Sequence, residues 1–389
     1  MQSGFTAQFT TLQKQGNFIT NQLSDSFKSI QTRLSLFSAA LDRLKAGVTA
    51  ARDAPGNPPN GISQENLNRY VTSKMTFDLQ DALSRLSADV PLVEYIVEET
   101  QRKLSIADVF LGDMRNEAVI VVGDATNAKE RFGSDVTTVS TNIVTPLNER
   151  VTPVYNEQLQ TIAAVQSVLQ AITTYTDDLK PALDRLAEQL NEAGITALVT
   201  NVENAFTKYN NDLDESIASS TSVEKFFIEE TCGGLVTVID ALVANSPYSN
   251  FCFSKFSPRL FTQYALSFYT VSECYDIETE RMYKLQDLIT LIIGMIIYDV
   301  EDLGDAISTC ALLTNGASCV TMVGPYYEKL ATTVEEKEDY MVNFIQSETK
   351  FSLQRISACI NAAKYSTVTS VAAIVSNLNT CSLNGPSTA

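Results

Sequence analysis

A chain of 389 residues with 44% hydrophobic and 19% charged residues is long enough for two or three domains and has a folded composition rather than a disordered one. Its formal net charge of −18 argues against nucleic acid and anionic lipid surfaces as partners. The absence of histidine removes histidine-based triads, the usual general base near neutral pH, and histidine-containing zinc sites.

The opening stretch MQSGFTAQFTTLQKQ has neither the basic nor the apolar region of a signal peptide, so the numbering starts either at a mature N-terminus or in a cytosolic protein. The first predicted element is a long helix from Phe5 to Val48. Its apolar seam runs through Phe9, Leu12, Ile19, Leu23, Phe27, Ile30, Leu34, Phe37, Leu41 and Leu44, in steps of three and four once Gly16 fills the gap between Leu12 and Ile19. Two consecutive fours between Ile19 and Phe27 read as a stutter that unwinds a supercoil locally. A narrow seam of this length predicts coiled-coil-like packing, and DAPGNPPNG (Asp53 to Gly61) ends it.

Ser63 is placed to cap a second helix with Leu67, Tyr70, Leu79, Leu83 and Leu86 on its stripe, broken or kinked at Val90-Pro91. NEAVIVVGDAT (Asn116 to Thr126) is the one stretch where a short strand competes with helix. Thr145-Pro146 and Thr152-Pro153 read as helix starts. The seam that follows, from Tyr155 to Leu190, is expected to kink at Pro181 and stop at Gly194. A further helix carries Val199, Val202, Phe206, Tyr209, Leu213 and Ile217.

All seven cysteines lie after residue 231. This divides the chain into a cysteine-free long-helix region, 1–230, and a disulfide-stapled helical domain, 231–389. The last six cysteines are spaced almost palindromically about CALLTNGASC (Cys310 to Cys319). Six cysteines allow 15 connectivities, and spacing alone does not select one. The stretches on either side of CALLTNGASC both read as helices, the return helix starting near Gly324-Pro325, with Asn315-Gly316 supplying residues that tolerate positive φ at the turn. Arms of near-equal length favour a nested framework: Cys310 with Cys319, Cys274 with Cys359, Cys252 with Cys381. The competing readings are unpaired core thiols, or two local loops joining Cys252 to Cys274 and Cys359 to Cys381. Disulfides imply an oxidising compartment and hence a secreted, extracellular protein. Cys232 is left over, as a free thiol or an interchain bond. No Cys-x-x-Cys occurs, so no metal is expected.

From Cys252 to Cys381 the chain resembles the TsetseEP-type domain of insect secreted proteins. CFSKFSP (Cys252 to Pro258) and the intervals to Cys274, Cys310, Cys319, Cys359 and Cys381 carry the resemblance. It implies an extracellular helical protein and supplies no catalytic residues; the Glu-Pro repeats of that family are absent here.

The expected fold is all-α, built of long antiparallel helical hairpins or a bundle, with the C-terminal third stapled by disulfides. The favoured function is a secreted, non-enzymatic interaction or structural protein that self-assembles through its long helices or Cys232. The alternative is a carrier of apolar ligands, with LITLIIGMII contributing Leu288, Leu291, Ile292, Met295 and Ile296 to a cavity lining. A helical pore-former is less favoured, because Asp287, Asp299, Glu301 and Asp302 crowd that run. The longest apolar run, Leu288 to Tyr298, is also too short for the ~20 residues of a spanning helix. No catalytic residue and no cofactor is expected. Glu98 with Glu99 and Glu229 with Glu230 are sequence neighbours that diverge on a helix, and no phosphate-binding glycine loop or nucleophile elbow is present.

Overall fold

The computed structural model describes residues 19–172, 175–218, 220–301 and 303–386, and among these every regular element is helical. The elements are α1 (Ile19–Asp53), α2 (Gln64–Tyr70), α3 (Ser73–Pro146), a π-helical turn (Leu147–Val151), α4 (Thr152–Leu169), a second π-helical turn (Tyr175–Leu179), α5 (Lys180–Leu190), α6 (Glu192–Ala218), α7 (Ser220–Val243), α8 (Ser249–Glu301), α9 (Leu303–Leu312) and α10 (Gly316–Asn384). Only 16 glycines and 11 prolines interrupt the chain, so several helices far exceed the ~11–12 residues of an average one. The part of the predicted first helix before Ile19 lies outside the described residues.

Several expected breaks are absent. α3 runs through Val90-Pro91, where the lost backbone bond lies on an exposed position and leaves a carbonyl that water can pair. The stretch Asn116 to Thr126 is helical as part of the same element, its β-branched residues overruled by the flanking helix. Pro181 opens α5 rather than kinking a longer helix, and Gly194 sits in the first turn of α6 instead of ending its predecessor. Pro325 lies inside α10, which starts earlier, at Gly316. Ser63 caps α2 as its position suggests, its Oγ accepting from the Asn66 amide at 3.2 Å.

The chain forms two compact units, each discontinuous in sequence. One comprises residues 1–117, 229–263 and 369–389, the other 118–228 and 264–368. The division therefore does not fall at residue 230. Long helices leave each unit and return, so the cysteine-free and cysteine-bearing parts of the sequence both contribute to each.

In the first unit a core of Ile19, Ala107, Val238, Leu242, Phe253, Phe256, Leu260, Val371 and Leu378 surrounds the Cys252–Cys381 bridge. Gly234 lets helices approach here, since a Cβ would stand 3.0 Å from Leu260 and 3.1 Å from Val371. Lys103 is fully buried and donates to Asn245 Oδ1 at 2.8 Å, while Asn245 donates to Gln22 Oε1 at 2.6 Å. Burial pulls the Lys103 ammonium below its ordinary pKa, and Glu99 partly restores it.

The second unit is held by the Cys274–Cys359 and Cys310–Cys319 bridges, with Cα–Cα distances of 5.9 and 5.4 Å. The six cysteines thus pair in the nested order. Gly316, at the CALLTNGASC turn, does not take positive φ. Its need is for space: a Cβ would meet Ile172 at 2.9 Å and the Cys310 carbonyl at 3.1 Å. Between the bridges, Glu278 is buried and accepts from Arg355 Nε at 2.9 Å, Arg355 Nη2 at 3.0 Å and Arg281 Nη1 at 2.5 Å, which fixes α8 against α10. Phe132 meets Tyr209 edge-on and Tyr275 at a tilt, and the Tyr209 and Ser352 hydroxyls are bonded at 2.8 Å.

Candidate functional site

Within the first unit, α1 and α3 form an antiparallel hairpin closed by α2. Its register is set by Arg33 with Asp89 at 3.4 Å, Ser29 Oγ donating to Asp89 at 2.9 Å, and Arg43 with Asp78 at 3.8 Å. At the closed end Gly47 touches backbone, since a Cβ there would stand 2.7 Å from the Tyr70 carbonyl. The inner seam of α1 alternates in steps of three and four through Ser26, Ile30, Arg33, Phe37, Ala40, Leu44, Gly47 and Ala51. On α3 it runs through Met75, Leu79, Ala82, Leu86, Asp89, Val93, Ile96 and Thr100. These are heptad positions a and d.

A second set of large apolar residues lies outside this seam. Phe27, Leu34, Leu41 and Val48 recur every seven residues on α1, as do Leu83, Val90, Val97 and Leu104 on α3, and each is 39–53% exposed. Both sets occupy position e of their heptads, next to the half-buried a residues. In an antiparallel pair the two e rows flank the seam on the same side. The stripes lie side by side where Phe27 and Leu34 stand beside Leu83 and Val90, with Leu41 and Val48 continuing towards the closed end and Val97 and Leu104 away from it. Away from the closed end an open cleft of about 530 Å³ is lined by Leu23, Val97 and Leu104 together with Thr100, Gln101, Ser105 and Asp108. At ~150–200 Å² per large side chain, half exposed, the eight residues show on the order of 700 Å² of apolar surface. That exceeds the ~300–600 Å² of the largest patch on a typical monomer.

Sequence reasoning found half of this face and misjudged its direction. It placed Phe27, Leu34, Leu41 and Val48 in the seam, where the structure has Ser26, Arg33, Ala40 and Gly47. The supposed stutter between Ile19 and Phe27 is where the large residues move from the inner row, with Ile19 at 1% exposure, to the outer one. The stripe on α3 does not emerge from a helix expected to be broken or kinked at Val90-Pro91. The seven-residue spacing of Leu83, Val90, Val97 and Leu104 was the available signal.

In the second unit, the five residues proposed as an apolar ligand lining are divided between two environments. Ile292 and Ile296 are buried in the core, while Leu288, Leu291 and Met295 are exposed. Leu291 and Met295 line an open cleft of about 590 Å³ with Arg150, Asp287, Thr290, Gly294, Tyr298, Asp299 and Lys337. The run thus spans a core row and a polar-rimmed surface row of one helix and does not bring all five side chains into one cavity.

Near this cleft Lys337 pairs with Asp299, and Tyr155 donates to Glu338 Oε1 at 2.6 Å. Burial pushes the Glu338 carboxyl up to about 7, and neighbouring Asp339 and Glu335 push the same way. The buried Tyr155 phenol is raised as well, so it remains a donor. A carboxyl that keeps its proton towards neutral pH and accepts from a tyrosine is a satisfied pair, and among the described residues nothing positions a nucleophile beside it.

Cys232, on α7, is unpaired and half-buried, and burial raises its thiol pKa, which keeps it protonated and slow to react. Among the described residues no group of histidine, cysteine, aspartate or glutamate is placed to hold a metal ion, and no helix is long and apolar enough to cross a membrane. Comparison with protein families, with curated proteins and with solved structures gives no match to this chain.

Proposed function

We propose that this chain is a secreted, non-enzymatic interaction protein that docks a protein partner through the apolar face of the α1–α3 hairpin. The observation that carries the reading is a second apolar row outside the seam. The hairpin packs through a seam in which Ile30, Phe37, Leu44, Leu79, Leu86 and Val93 stay half-buried, and it displays a further phenylalanine, leucine and valine row at strict heptad spacing. Exposed apolar surface of this size is unfavourable in water at about 25 cal/mol per Å², so a covering partner supplies the missing stabilisation. Three disulfides favour an oxidising, extracellular setting, and the TsetseEP-type resemblance points the same way.

Cross-linking mass spectrometry of the protein in the fluid into which it is secreted tests this. Lys28, Lys45 and Lys74 are exposed on the hairpin, whereas Lys208 and Lys329 are exposed in the second unit. Intermolecular cross-links, to any protein, are expected to concentrate on the first three. Links confined to Lys208 and Lys329, or none between molecules, would overturn the reading.

A further inference from the structure

We infer that the occupant of this face is a second copy of the same chain, with α1 of each copy laid over α3 of the other; the inference rests on the face being a docking surface. Area is the first argument. The ~700 Å² of apolar surface on one copy is close to the ~800 Å² that each partner contributes to a standard stable interface. A two-fold dimer uses the same patch on both partners, so one self-complementary face is sufficient.

Geometry is the second. Rows a and e on each helix form a continuous three-four repeat, the pattern of knobs that fits the holes of an identical pattern. Two hairpins joined through it make a four-helix bundle, in which the a residues become core on both sides. Because Arg33 is level with Asp89 and the two helices run antiparallel, Leu34 falls between the levels of Val90 and Leu83, about 3 Å along the axis from Val90. A two-fold axis parallel to the helices preserves level, so the partner's Leu34 comes down between Val90 and Leu83, as a knob between two neighbours of the facing row.

Charge is the third. The chain is strongly acidic, yet the outer rim of the face is mainly serine and glutamine, as at Gln31, Ser38, Gln80 and Ser87. α1 is net basic over Ile19–Asp53, whereas α3 is net acidic over residues 73–117. Laying α1 on the partner's α3 sets opposite signs together, while stacking α3 on α3 would set like signs together.

Sedimentation equilibrium of the purified, oxidised full-length protein decides the matter. The wild type is expected to dimerise at micromolar concentration. Leu34→Glu and Val90→Glu, each at a position half-exposed in the single chain, should each weaken the dimer by 100-fold or more. Circular dichroism and thermal melting of the variants verify that each hairpin still folds, and Leu288→Glu in the second unit, where Leu288 is 49% exposed, should leave the dimer unchanged. A wild type that stays monomeric at 100 µM overturns the inference, whether residues 1–18 or another protein covers the face. A dimer indifferent to both hairpin substitutions overturns it equally. In the first of those cases cross-links from Lys28, Lys45 and Lys74 to a different protein would leave the docking surface itself standing.

Discussion

Replacing Glu278 by alanine removes a buried acceptor that ties α8 to α10 in the second unit through charge. The carboxylate is 2% exposed and takes three bonds, two from the Arg355 fork at 2.9 and 3.0 Å and one from Arg281 at 2.5 Å. Hydrogen bonds to charged groups contribute ~1.5–3 kcal/mol each, and breaking a buried pair costs ~3–5 kcal/mol because the abandoned charge stays behind. Here both guanidiniums reach solvent, with 31% and 46% of their side chains exposed, and Arg355 keeps Glu348 at 3.5 Å. They rehydrate in part, which places the expected loss near the bottom of that range, at ~3 kcal/mol. Glu278→Gln keeps the shape and should lose less, ~1–2 kcal/mol. Urea denaturation of the oxidised protein, followed by hydrogen exchange at amides of α8 and α10 in this unit, measures the effect locally. In a double-mutant cycle with Arg355→Ala, the coupling should be ~2 kcal/mol. A loss below ~1 kcal/mol for the alanine variant, or a coupling below ~0.5 kcal/mol, would mean that packing, the Cys274–Cys359 bridge and the Lys337–Asp299 pair fix α8 against α10 without it.

The Glu338 carboxyl, raised to about 7, binds its proton more tightly folded than unfolded, so the stability it gives is complete below its ordinary pKa and is lost as pH rises towards 7. Glu338→Gln should flatten the pH dependence of melting between pH 5 and 7 and raise stability at pH 8; an unchanged profile would show the proton is not held there. Gly47→Ala should cost ~1–3 kcal/mol, since its Cβ would meet the Tyr70 carbonyl, a backbone atom that cannot step aside alone; melting compared with Gly112→Ala, which meets nothing within 4 Å, isolates the clash. Iodoacetamide should alkylate Cys232 at least tenfold more slowly in the native protein than in urea, because burial keeps the thiol protonated; equal rates, or a reducible covalent dimer on a gel, would contradict that placement.

The helical class was legible because sparse glycine and proline with three-four apolar spacing leave few alternatives to helix. The nested cysteine pairs were legible for a related reason. Rigid arms of equal length bring Cys274 opposite Cys359 and Cys252 opposite Cys381 once a turn is fixed at Cys310 and Cys319. Proline signals were less informative: Pro91 and Pro325 are tolerated inside helices, because a lost bond on a long helix is a small local cost against the packing on either side.

What sequence periodicity does not carry is the direction a stripe faces. Phe27, Leu34, Leu41 and Val48 satisfy a heptad equally well turned inward or outward, and hydrophobicity alone puts them inside. The tertiary structure decided otherwise, because the ion pairs from Arg33 and Arg43 to α3 and the close approach at Gly47 fix the rotation of α1 about its axis. A backbone contact that only glycine permits needs the small row to face inward, and once it does, the row one position further along each heptad must face out. The sequence thus determined which residues form the stripes and how they repeat; only the packed hairpin determined that they stand together on one uncovered face.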